Sequence, residues 1–234
     1  MTKRMVAAIL SGGLGTRLRP VLPNTAKVMA EVDGRPFLEI ILDQLETSGI
    51  STVVLCIGYL SEQIRSCFGE RRGELKLLYS EEKEPLGTAG ALRLALPLLS
   101  SKSILVLNGD SSYSGRLSPF IDWHHKRMAP VSILLAKVED TRRFGLVETA
   151  RDGQIRRFCE KDRASSGAGW VSAGVYLMGR NVIGKIPEQR PISLEREIFP
   201  SYIGHGLRGY HGRGLFLDIG TPESYARADK FFSR

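Results

Sequence analysis

Met5-Val6-Ala7-Ala8-Ile9-Leu10-Ser11-Gly12-Gly13-Leu14-Gly15-Thr16-Arg17 is the stretch that decides the fold. Six apolar residues in a row, without polar alternation, suit a strand buried on both faces. That strand runs straight into a glycine-rich loop. Glycine permits positive φ and close approach of the backbone, and successive backbone N–H groups can then cradle anionic oxygens. Two common loops of this kind are excluded. A P-loop ends in Gly-Lys-Ser/Thr, which Arg17-Leu18 does not supply. A dinucleotide loop needs a small residue three positions after Gly15, where Leu18 stands.

Outward from this stretch, residues 53–57 and 103–107 repeat the buried-strand pattern. Between the strands lie helical patterns. Residues 36–48 place Phe37, Ile40, Ile41 and Leu45 at helical spacing, with Pro36 suited to a first turn and Gly49 to a stop. Residues 90–99 form another. The alternation predicts an α/β fold: Rossmann-like, three-layered, with a mixed, mostly parallel sheet and helices on both faces. After about Pro130 the texture changes. Residues 131–136, 145–148, 154–158 and 171–177 read as short strands, Arg151-Asp152-Gly153-Gln154 as a hairpin turn, and residues 194–199 and 222–232 as helices. No repeat or low-complexity linker interrupts the chain. One domain over residues 1–234 is expected, with its halves meeting near residue 130.

The composition, 42% hydrophobic and 25% charged, supports one sizeable core. No apolar run approaches the length of about 18 residues that a membrane helix needs, so no membrane partner is expected. The basic start Thr2-Lys3-Arg4 and the apolar run after it are too short for a secretion signal, and the loop after them is no cleavage site. Cys56, Cys67 and Cys159 have no metal-like spacing and read as free thiols of a cytoplasmic protein. The net charge of +8 raises the question of nucleic acid. The basic residues are scattered without interleaved aromatics, so a small polyphosphate accounts for them and no nucleic-acid partner is expected. His124 and His125, adjacent on a predicted helix, point in different directions and read as surface residues.

Four residues carry the central chemistry. Arg17 offers a planar fork to phosphate oxygens, and Lys27 a compact cation. Asp110 follows a buried strand and Asp218 another, at the strand ends where open α/β sheets bind ligands. Mg²⁺ favours one or two such carboxylates completed by substrate phosphates.

Gly12-Gly13-Leu14-Gly15-Thr16-Arg17-Leu18-Arg19-Pro20, with Lys27 ten residues after Arg17, resembles the signature of the sugar-phosphate nucleotidyltransferases. Ala26 and Val28 stand where that family flanks its lysine with prolines. The resemblance implies catalytic roles for Arg17, Lys27, Asp110 and Lys161, and Mg²⁺ as cofactor on Asp110 and Asp218, the latter before Gly220-Thr221-Pro222. It implies nucleotide contacts at Leu10, Gly12, Gly13, Gly15, Thr16, Gly87, Thr88 and Asn108. Residues before about 130 would then bind the nucleotide and those after it the sugar.

Phe144-Gly145-Leu146-Val147 and Phe158-Cys159-Glu160-Lys161 resemble the family's sugar-binding segments, with Gly145 and Glu160 on the sugar and Lys161 on its phosphate. Asp162 stands where the family has proline, and Ser172, also on the sugar side, where it often has asparagine. Glu84-Pro85-Leu86-Gly87-Thr88 resembles the base loop of the guanylyl-transferring branch, which makes Glu82 or Glu84 the reader of guanine. The expected partners are GTP, or another nucleoside triphosphate, and a sugar 1-phosphate. A manno-heptose phosphate leads, with mannose 1-phosphate or a uridylyl acceptor as alternatives. The resemblance runs from the first strand to the Gly-Thr-Pro-Glu helix, so relatives with a C-terminal β-helix are not expected to be the match. A catalytically silent nucleotide-sugar sensor is the reading from another class. The sequence leaves homo-oligomerisation open.

Overall fold

The computed structural model describes residues 5–159, 167–188 and 190–232. Fourteen strands are found among them. They are β1 (Val6–Leu10), β2 (Glu31–Val32), β3 (Arg35–Pro36), β4 (Thr52–Ile57), β5 (Arg71–Arg72), β6 (Leu75–Glu81), β7 (Ser103–Asn108), β8 (Ser111–Tyr113), β9 (Val131–Val138), β10 (Leu146–Thr149), β11 (Ile155–Cys159), β12 (Gly169–Gly179), β13 (Leu207–His211) and β14 (Phe216–Asp218). The helices are α1 (Phe37–Thr47), α2 (Ser61–Phe68), α3 (Gly87–Leu94), α4 (Ser118–Arg127), α5 (Arg180–Gly184), α6 (Phe199–Ser201), α7 (Pro222–Tyr225) and α8 (Ala228–Phe232), with a π-helix at Leu194–Ile198 running into α6.

β1 lies inside a ten-stranded sheet, parallel to β4 on one side and to β7 on the other. Its alternate side chains enter different cores. Ala7 and Ile9 pack with residues of α1, α2 and α4, while Val6 and Ala8 pack with residues of α3, α5 and α6. An apolar run without alternation is therefore used in full, because both faces of the strand are covered by helices. This is the expected three-layer α/β arrangement. Helix α1 shows the sequence logic on a smaller scale. Phe37, Leu38, Ile40, Ile41, Leu42 and Leu45 are its buried stripe, and it stops where Gly49 takes φ +79°.

Past β7 the sheet becomes mainly antiparallel. β12 pairs with β7 through residues 175–179, with β9 along its length, and with β10 at Val171. The register shifts between Ser172 and Val175, a bulge that re-aims the side chains around it. β13 adds to β9 in parallel, and the β10–β11 turn closes on it through Gly209 N–H donating to Gly153 O at 2.8 Å. β13 lies outside the strands expected from the sequence, as does β6. Several expected boundaries also move. Pro97 ends α3 early and a 3₁₀ turn follows at Leu96–Leu98, while the single helix expected over 222–232 is two short ones.

His124 corrects the sequence reading. It is buried, 3% exposed, and its Nδ1 lies 2.8 Å from Ser132 Oγ on β9. Helix α4 packs against the sheet on the face that carries this histidine. His125 is exposed, as expected. Burial, with a smaller contribution from His125, pushes the His124 pKa down to about 4. The unfolded chain binds a proton near pH 6.5 and the folded chain only near 4. The stability carried by the neutral ring is thus complete above pH 6.5 and lost as pH falls towards 4. The loss is at most about 3 kcal/mol. Urea midpoints compared at pH 7.5 and 4.5 should fall further for the wild type than for His124→Gln. Equal falls would contradict the buried neutral ring.

Candidate active site

The candidate site lies at the carboxyl ends of β1, β4 and β7. Leu10 sits opposite Asn108 and Cys56 there, and Ser11 N–H extends the ladder to Cys56 O at 2.8 Å. The glycine loop then leaves the sheet. A Cβ at Gly12 would lie 2.5 Å from Glu82 Oε1, so that carboxylate fits only against glycine. Gly15 takes φ +58°, and its carbonyl accepts from Leu18 N–H at 2.9 Å and Arg19 N–H at 3.2 Å. Buried Leu18 anchors this turn, which leaves Gly13, Thr16 and Arg17 at the surface. Among the described residues the backbone N–H groups of residues 12–17 have no backbone acceptor, and with the exposed Arg17 beside them they suit a polyanion.

The two candidate metal carboxylates come together through a small sheet apart from the main one. β14 pairs antiparallel with β8, Asp218 opposite Ser111, and Ile219 N–H donates to Asp110 O at 3.0 Å. The Lys27 ammonium forms an ion pair with Asp110 Oδ2. It also lies 3.1 Å from where a Cβ on Gly220 would stand, and Asp218 Oδ1 lies 2.9 Å from the same point. Burial first, and then the negative charge of Asp110, raise the Asp218 pKa; Lys27, the Gly220 N–H and Arg143 oppose the rise. Two adjacent carboxylates, one of them half-enclosed by the other's loop and a glycine turn, are a suitable donor set for a hard divalent cation. Among the described residues no group of three His, Cys, Asp or Glu side chains gathers to cage one. The remaining coordination would fall to phosphate and water, the pattern favoured by Mg²⁺.

On the base side the structure separates the two glutamates left open by the sequence. Glu82 reaches into the cleft between Gly12 and Gly58, and its Oε2 accepts from Leu86 N–H at 3.0 Å. Burial raises its pKa, against the effect of that N–H. Glu84 is exposed. If Glu82 reads guanine, Glu82→Gln replaces an acceptor oxygen with an NH₂ donor. The KM for GTP should then rise about 10- to 100-fold, as expected for a hydrogen bond to a charged group, with a smaller change for ATP. Equal KM changes for the two nucleotides would remove Glu82 from base recognition. Gly87 and Thr88 turn towards a neighbouring segment. Gly87 has φ +70°, a Cβ on it would lie 2.5 Å from Ile192 O, and Thr88 Oγ1 accepts from Leu194 N–H at 2.8 Å.

On the sugar side Gly145 precedes β10, and Ser172 lies at the β12 bulge with its Oγ accepting from Gly174 N–H at 3.2 Å. Asn108 Nδ2 donates to Tyr176 Oη at 3.3 Å. Glu160 and Lys161 lie outside the described residues. Two neighbours of the site escaped the sequence reading. Tyr176, fully buried on β12, was not singled out within the strand expected over 171–177. Arg143 donates to Thr221 Oγ1 at 3.2 Å and sits 3.5 Å from Asp218 Oδ1. Its only signal in the sequence was its place before Phe144-Gly145.

A sheet of this topology, with a glycine loop at its carboxyl edge and a lysine between two aspartates, defines a class. The chain belongs to the nucleotidyl transferase family, whose model matches residues 6–234. It is 34% identical over 97% of its length to the mannose-1-phosphate guanylyltransferase of Mycobacterium tuberculosis, of which it spans 64%. It is 33% identical to the D-glycero-alpha-D-manno-heptose 1-phosphate guanylyltransferase of Aneurinibacillus thermoaerophilus, over 97% of each chain. The crystal structure of HddC from Yersinia pseudotuberculosis complexed with GMP-PN superposes with a TM-score of 0.85 at 28% identity, covering 97% of this chain and 99% of that one.

Proposed function

We propose that the protein transfers a guanylyl group from GTP to a manno-configured sugar 1-phosphate, releasing pyrophosphate. D-glycero-α-D-manno-heptose 1-phosphate is the acceptor we favour. The observation that carries the reading is the cluster of Lys27, Asp110 and Asp218 beside the glycine loop. Glu82 favours guanine, since a carboxylate accepts both the N1–H and the amino group of that base. The named relatives support guanylyl transfer and both manno-type acceptors, so mannose 1-phosphate is the second reading. GTP and sugar phosphates belong to the cytoplasm, where we place the reaction.

The attacking oxygen of a sugar phosphate is already anionic near neutral pH, so no general base is required. The difficulty is bringing two polyanions into line at the α-phosphorus. Backbone N–H groups of residues 12–16 bind the triphosphate, and Arg17 and Lys27 neutralise the departing pyrophosphate. Lys161 seats the acceptor phosphate. Asp110 and Asp218 would hold Mg²⁺, which would supply Lewis-acid stabilisation of phosphoryl charge.

The test is pyrophosphate release with Mg²⁺ from GTP, UTP, CTP, ATP and dTTP against the 1-phosphates of manno-heptose, mannose, glucose and N-acetylglucosamine. Release confined to GTP with manno-heptose supports the reading. Release with another pair corrects the substrates within the family. Silence from folded protein across the matrix favours the nucleotide-sugar sensor.

A further inference from the structure

The base loop and the floor of the sugar side are joined by one short segment. Ile192 N–H donates to Leu86 O at 2.8 Å, and Ala89 N–H returns a bond to Ile192 O at 2.9 Å. Thr88 Oγ1 receives Leu194 N–H at the start of the π-helix. One residue on, Glu195 accepts the Tyr176 hydroxyl on Oε1 at 2.8 Å. That same hydroxyl oxygen receives Asn108 Nδ2 at 3.3 Å and has Ser172 Oγ at 3.4 Å. One buried phenol thus links the end of β7, the β12 bulge and the segment that carries the base loop. Burial and the charge of Glu195 push its pKa well above the ordinary value, so it keeps its proton and donates it. Glu195 itself is exposed, and among the described residues its Oε2 has no hydrogen-bond or ion-pair partner. A carboxylate fixed through one oxygen and open at the other is an acceptor awaiting donors. π-helical turns are rare and are frequently found at functional sites.

We propose that Glu195 reads hydroxyl groups of the acceptor sugar. Tyr176 orients it, and Thr88 positions it through Leu194, so that base recognition and sugar recognition share one wall. The proposal rests on the reading of the protein as a sugar 1-phosphate nucleotidyltransferase. Sugar hydroxyls are neutral donors of the kind a lone carboxylate oxygen binds well, and each such charge-assisted bond changes affinity about 10- to 100-fold.

The experiment is steady-state pyrophosphate release with GTP and either manno-heptose 1-phosphate or mannose 1-phosphate. It compares wild type, Glu195→Gln, Glu195→Asp, Tyr176→Phe, Thr88→Val and Thr88→Ser, each checked by thermal melting. Glu195→Gln should raise the KM of at least one sugar phosphate about 10- to 100-fold and leave the KM for GTP within about twofold. Thr88→Val should move the sugar KM in the same direction, and Thr88→Ser should restore it, since its hydroxyl still receives Leu194 N–H. Tyr176→Phe should raise the sugar KM less than Glu195→Gln. If Glu195→Gln does not fold, Glu195→Asp carries the same expectation with a shortened carboxylate. Unchanged sugar KM values in folded Glu195 variants overturn the proposal, and so do GTP and sugar KM values that rise together in every variant. A wild type silent with both sugars and all nucleotides overturns the parent reading, an outcome distinct from a fully active Glu195 variant.

Discussion

Replacing Asp110 by alanine is expected to cut turnover about 10²–10³-fold, the scale of losing one electrostatic group at a developing charge. Asp110 is half of the only carboxylate pair at the candidate site among the described residues, and its partner Asp218 is the more buried of the two. Alanine removes one oxygen donor for a divalent cation and the partner of Lys27 together. Among the described residues no third acidic or histidine side chain gathers with the pair to replace it. The backbone link from Ile219 N–H to Asp110 O needs no side chain, so the local fold should persist. Single-turnover rates at saturating Mg²⁺, beside a melting curve, check this. Near-normal turnover from folded Asp110→Ala would sink the assignment of Asp110 to metal.

Lys27→Ala is expected to lose a comparable factor of about 10²–10³. The ammonium pairs with Asp110 and lies close to Asp218, so it offsets the mutual repulsion of two carboxylates before any ligand arrives. The Lys27 side chain also leaves the backbone beside the glycine loop, its Cβ 3.4 Å from where a Cβ on Gly15 would stand. Because Lys27 and Asp110 act as a unit, the double variant should be little slower than the worse single variant. Fully multiplicative losses would show instead that the two residues work independently. Lys27→Arg should recover only part of the rate, since a planar fork does not fill the place of a compact ammonium.

The glycine loop was legible because its chemistry is local: a buried strand, then residues that alone permit positive φ, then a cation. Asp110 and Asp218 were legible as strand ends, and their meeting as what the family resemblance implies, but the elements that join them were not. Their meeting depends on β8 and β14, three residues each, paired across a little less than half the chain and too short to show periodicity. Glu82 and Glu84 could not be separated, because both lie in one polar run and only the packing of Gly12 and Gly58 distinguishes them. The packing of Gly87 and Thr88 against Ile192 and Leu194 could not be read from their motif, because those partners lie more than a hundred residues further on. His124 misled because α4 has only a weak apolar stripe, its buried positions being Phe120 and His124 itself. Tyr176 was hidden the other way, as one more large residue in an apolar strand whose hydroxyl shows only in three dimensions.

The small sheet of β14 on β8 also sets an order of events during synthesis. Every strand of the ten-stranded sheet precedes β14 in the chain. A ribosome that has released residues up to β13 has delivered the glycine loop, Lys27 and Asp110, but not Asp218. All ten strands of the main sheet are therefore available for pairing while the second carboxylate is still missing. The pair of aspartates is thus the last part of the cluster to be completed, by the late arrival of three residues.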